Sequence, residues 1–96
     1  LAMLRNLSEA YPDEEAALIT IGDIERERRR YEAAINAYGE AISRIGTLKA
    51  NDWPLLYARG IAYERAGMWN AAERDFLRAL ELQPSQPDVL NYLGYS

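Results

Sequence analysis

Ninety-six residues suffice for one modest domain, and 15 acidic against 11 basic side chains leave a formal charge of −4. That mild acidity argues against tracking a phosphate backbone, which calls for a basic footprint. The absence of Cys and His removes disulfides and thiolate sites, the commonest general base, the commonest transition-metal ligand and the near-neutral pH switch.

In chain order, residues 1–12 read LAMLRNLSEAYP, with no initial Met and no signal-peptide layout. The chain also stops inside an apolar pattern, at VLNYLGYS. It is therefore read as a fragment of a longer protein. No run approaches the roughly 18 apolar residues of a membrane span. Apolar residues recur three and four apart over 16–28, 31–45, 55–66, 69–82 and 89–95, which predicts five helices. Asp13 is the expected N-cap of the first, with Glu14 and Glu15 favoured in its first turn. Pro54 and Pro87 suit first helical turns, where a missing N–H is no loss. Gly67 is expected to let the chain turn between the third and fourth helices. Arg29 holds the corresponding place between the first two, so that turn is expected to be strained or differently shaped. Gly39 inside a helix costs about 1 kcal/mol relative to Ala, which close approach of a neighbouring helix would justify.

Two stretches repeat. Set IGDIERERRRYEAAINAYGEAI (21–42) under RGIAYERAGMWNAAERDFLRAL (59–80). Gly22 falls on Gly60, Tyr31 on Trp69, Ala34 on Ala72, Tyr38 on Phe76, Ala41 on Ala79 and Ile42 on Leu80, all at one offset of 38 residues. A partial third copy places Gly94 at 34 residues after Gly60. Bulk alternates with near-absence of side chain in both, as two closely pressed helices require.

A helix pair of about 34 residues with this spacing resembles the tetratricopeptide repeat. Residues 53–86 carry the resemblance most fully, through Leu56, Gly60, Tyr63, Gly67, Trp69, Ala72, Phe76, Ala79 and Pro84, with Arg59 the one departure. Residues 15–48 carry it more loosely, through Leu18, Ile21, Gly22, Tyr31, Ala34, Tyr38 and Ala41, with departures at Glu25, Arg29 and Gly46. Residues 87–96 look like the start of a further unit, with Leu90, Leu93 and Gly94, and residues 1–12 like the second helix of a preceding one. The LELQPSQPDVLNYLGYS stretch resembles bacterial members of the family.

The resemblance implies an all-α, right-handed superhelical stack of antiparallel helix pairs (an α-solenoid) whose first helices line a concave groove. It implies groove residues Ile19, Asp23, Arg26 and Glu27, then Tyr57, Ile61, Glu64 and Arg65, then Asp88, Asn91 and Tyr95. The family's pattern for clamping a C-terminal carboxylate is absent, because Ile19, Asp23, Tyr57 and Ile61 stand at those places. The implied function is a protein–protein interaction scaffold for a peptide segment or a partner domain, without cofactor, metal or catalytic residues. Alternatives are self-association through repeat ends, where Leu4 and Leu7 and residues 89–95 bare apolar faces, and the docking arm of a larger enzyme.

The remaining signals have plain readings. ERERRRYE (25–32) reads as a solvated helix end, with Arg28–Arg30 favoured by the helix dipole and Glu25 paired to Arg29. Trp69 reads as structural. Trp53 either edges the core or is exposed for binding; Tyr92 and Tyr95 either anchor a ligand or, for Tyr92, pack against a following helix that this sequence lacks. No phosphate-cradling loop, zinc spacing or nucleophile with its base is present.

Overall fold

The computed structural model describes residues 13–94. The half repeat expected over 1–12, with Leu4 and Leu7, and the groove residue Tyr95 lie outside the described residues. Five α-helices follow one another: α1 (Asp13–Glu27), α2 (Tyr31–Ile45), α3 (Trp53–Arg65), α4 (Trp69–Leu82) and α5 (Pro87–Leu93). No strand occurs among the described residues. α1 packs on α2, α3 on α4, and α2 also on α3, so the two pairs stack through the second helix of one and the first helix of the next.

Small residues set these contacts. A Cβ built on Gly22 would lie 2.5 Å from Cε1 of Tyr38, and one on Gly60 would lie 2.5 Å from Cε1 of Phe76. Each glycine thus admits a fully buried ring from the second helix of its own pair. Ala34 and Ala41 are then covered by Leu55 and Ala62 of α3, in one cluster with Tyr38. Ala72 and Ala79 are covered in the same way by Val89 of α5, with Phe76. Ile42 belongs to the packing of both clusters and joins them.

The turns within the pairs have one shape. Gly67 has φ +82° and Arg29 φ +63°. Arg30 N–H donates to Glu25 O at 2.8 Å, and Met68 N–H donates to Tyr63 O at 2.8 Å. This is the left-handed helix stop that satisfies otherwise orphaned carbonyls. The first turn is therefore not reshaped by Arg29; the arginine bears the conformation that glycine adopts freely. The expected Glu25–Arg29 ion pair does not form, because Arg29 has left the helix.

The inserted residues between the pairs end in a 3₁₀ turn over Ala50–Asp52, where Lys49 N–H donates to Oδ2 of the buried Asp52 at 2.8 Å. Pro54 and Pro87 occupy first helical turns. Gly39 has no neighbouring backbone against it: its nearest approach is Nη1 of Arg59, 3.6 Å from a built Cβ. A side chain crossing between the pairs, and not a helix backbone, uses that space.

Trp69 departs from its expected structural burial and is 42% exposed, beside the half-exposed Met68. Its ring still reaches Phe76, at 6.3 Å between centroids. Tyr31, the counterpart of Trp69 in the first pair, packs on the first cluster.

Candidate functional site

Ile19, Asp23 and Arg26 lie four and three residues apart on α1 and so share one face. They meet Pro54, Leu55, Tyr57 and Ala58 of α3 across a cleft of about 440 Å³. A second recess of about 210 Å³ adjoins it, lined by Arg26, Glu27, Tyr31, Ile61 and Arg65. Arg26 belongs to both. A larger hollow of about 580 Å³ opens at Arg29, Arg30, Tyr31, Glu32, Ala33 and Ala66. It lies at helix ends, it is wide open, and three of its six lining residues are charged, so it offers less to an apolar side chain than the α1–α3 cleft.

The cleft wall carries a fixed polar array. The Tyr38 hydroxyl donates to Asp23 Oδ1 at 2.5 Å and accepts from Arg26 Nε at 3.2 Å. Arg26 Nη2 lies 3.6 Å from the same carboxylate oxygen. Burial pushes the Tyr38 phenol far up from its ordinary pKa, the hydrogen bond to Asp23 and that residue's charge add to the rise, and Arg26 opposes it. The phenol is therefore a fixed donor at every physiological pH.

Tyr57 lines the cleft and also belongs to an aromatic group. Its ring centroid lies 5.8 Å from Trp53, 6.1 Å from Phe76 and 5.6 Å from Tyr92, the last edge-on. Such contacts hold a ring in place. Burial raises the Tyr57 pKa first, and the nearby Asp88 and Tyr92 raise it further. Trp53 packs against the second cluster at the core's edge. Tyr92 turns inward, 5.3 Å from Phe76.

The expected groove residues divide. Ile19, Asp23, Arg26 and Tyr57 converge on the main cleft; Ile61, Glu27 and Arg65 line the adjoining recess with Arg26. Glu64 lies 3.7 Å from Arg65. Asp88 and Asn91 are exposed on α5 and line neither recess.

Sequence reasoning missed two polar features. One is the Tyr38 array. The other is a bidentate ion pair inside the second helix pair: Arg59 Nε donates to Asp75 Oδ2 at 2.7 Å and Nη2 to Oδ1 at 2.8 Å. Asp75 is 5% exposed. The hydrogen bonds that Arg59 donates to Asp75 raise its pKa first, against the cost of burial. The Arg59 guanidinium also lies 5.6 Å from the centroid of the Tyr63 ring. A signal was available: Gly22 to Tyr38, Gly60 to Phe76 and Arg59 to Asp75 are all sixteen residues apart. That spacing brings facing positions of a pair together, and Arg59, the one departure within residues 53–86, has an aspartate at it.

No helix among the described residues is long and apolar enough to cross a membrane. Residues 53–86, the second helix pair with its flanking turns, match the family model described as tetratricopeptide repeat. No solved structure matches the chain.

Proposed function

We propose, taking as premise the tetratricopeptide repeat that residues 53–86 form, that this chain is an interaction scaffold holding a peptide segment or partner domain on its concave face. Such repeats are generally protein–protein interaction modules and typically non-catalytic. The first helix pair is then a second, looser unit of the same kind, supported by the equal close approach of Gly22 to Tyr38 and Gly60 to Phe76.

The α1–α3 cleft carries the functional reading. Ile19, Leu55, Tyr57 and Ala58 supply apolar lining, and Asp23 and Arg26 supply orientation. Concave sites with mostly apolar walls and a few placed polar groups are the usual form of a binding surface. Panning a random dodecapeptide display library on the chain should return binders. Ala58→Arg, which fills the cleft from one wall, should abolish their binding while the circular dichroism stays helical. Binders retained at full strength by Ala58→Arg would overturn the assignment.

Self-association is a second reading, favoured by the exposure of Ile21, Ile24, Met68, Trp69 and Leu77, each between 42% and 49%. Light scattering across a wide concentration range should show a rising mass under this reading, and a constant monomer mass would eliminate it.

A further inference from the structure

We propose that Asp23 and Arg26, held side by side by the buried hydroxyl of Tyr38, read one main-chain amide of an extended peptide lying in the α1–α3 cleft. This rests on the protein-binding reading of that cleft and specifies the form of its occupant.

The two helix pairs supply the first argument. Tyr38 and Phe76 hold equivalent places, both fully buried and both against a glycine at the same distance. Phe76 shows that the packing needs no hydroxyl there. A buried hydroxyl is costly unless it is bonded, and Tyr38 spends its hydrogen bonds on two α1 side chains that line the cleft. The counterparts of those two residues in the second pair are Ile61 and Glu64, and the equivalent ring, Phe76, has no hydroxyl to offer them. The Tyr38 hydroxyl thus serves to place Asp23 and Arg26.

The second argument is what the array leaves open. Asp23 Oδ1 takes the phenol proton and faces Arg26 Nη2, and Arg26 Nε is bound to the phenol oxygen. No other described residue bonds to Asp23 Oδ2 or Arg26 Nη1. The two side chains are 47% and 31% exposed. An acceptor and a donor therefore stand next to each other on the cleft wall.

Charge then selects the occupant. The carboxylate and guanidinium offset each other, so an ionic group attracted by one is repelled by the other. An amide gains on both, its N–H donating to Asp23 and its C=O accepting from Arg26. Amides inside a helix are already bonded to one another, so the reader fits an extended segment. In such a segment neighbouring side chains alternate in direction. One then faces the apolar lining of Ile19, Leu55, Tyr57 and Ala58, which suits an aliphatic or aromatic group.

The test uses the tightest dodecapeptide from the display selection, synthesised with each backbone amide N-methylated in turn and measured by calorimetry. One position should weaken binding to the wild-type chain by about tenfold, the scale of one lost hydrogen bond. Tyr38→Phe should weaken the unmodified peptide by about three- to tenfold and should erase the sensitivity at that position, with the melting temperature little changed. Should Tyr38→Phe lose its helical signal, the Asp23→Ala/Arg26→Ala variant carries the same expectation. A peptide that binds the cleft with its N-methyl profile unaltered in these variants overturns this inference alone. So does binding dominated by the peptide's charge and abolished by salt. Failure to select any peptide overturns both this inference and the scaffold reading beneath it.

Discussion

In the first helix pair, the positions corresponding to Arg59 and Asp75 are Ile21 and Ala37, and the buried ring is a tyrosine that reaches back to α1. In the second, the ring is Phe76, and the polar contact has moved to a buried Arg59–Asp75 fork whose guanidinium extends to Gly39 of the first pair. Both pairs keep the same glycine-on-ring approach and the same left-handed turn. The repeat therefore constrains where small residues and reversals fall, and it leaves open which facing positions carry polar groups. In the first pair those groups face a cleft; in the second they lie within the helix packing.

The largest expected effect comes from breaking the fork. Asp75→Ala leaves a partly buried guanidinium without its carboxylate and should cost about 3 kcal/mol in chemical denaturation. Arg59→Leu combined with Asp75→Ala gives the second pair the apolar chemistry of the first. It should recover to within about 1 kcal/mol of the wild type, because apolar replacement of a buried ion pair is often neutral or better. A double variant as unstable as Asp75→Ala would show that the fork has no apolar equivalent here.

Next come the glycines. Gly22→Ala and Gly60→Ala each force a Cβ to within 2.5 Å of a buried ring and should lower stability by about 1–3 kcal/mol through overpacking. This is despite alanine's advantage of about 1 kcal/mol in a helix. Unchanged melting of either would contradict the shared approach.

The turns should respond in opposite directions. Arg29→Gly should stabilise by up to about 1 kcal/mol, and Gly67→Ala should destabilise by about as much, since only glycine adopts the left-handed conformation freely. Equal signs from the two variants would mean that the turns are not equivalent.

The smallest effect is the alkaline limb. Tyr38 and Tyr57 have pKa values raised in the folded chain, whereas an unfolded phenol titrates near 10. Their contribution is complete below about pH 10 and is lost as pH rises toward the folded values, where the unfolded chain has already released its protons. The loss over the first pH unit above about 9.5 should stay below about 1 kcal/mol per phenol, and Tyr38→Phe should flatten it.

Much of this was legible in the residues. The periods of three and four located every described helix to within about three residues, the uncertainty usual for helix ends. The offset of 38 residues between Gly22–Ile42 and Gly60–Leu80 anticipated the doubled packing, because close contact restricts residue size in a way a sequence displays directly. Polar partners were less legible. Tyr38 reads as a core ring whether or not its hydroxyl is used, and Arg59 and Asp75 read as surface charges until the facing positions of a pair are known. Trp69 reads as interior because its pattern reports the position in the repeat. Its exposure depends on which neighbours cover it, and a repeat pattern does not display that.

The most direct test of the central claim is a two-dimensional NMR titration of the chain with its tightest display-selected dodecapeptide. The account predicts that the largest amide shifts and the intermolecular contacts fall on Ile19, Asp23, Arg26, Tyr57 and Ala58. Shifts confined to Met68, Trp69 and Leu77 would contradict it and move the binding surface to the exposed end of α4.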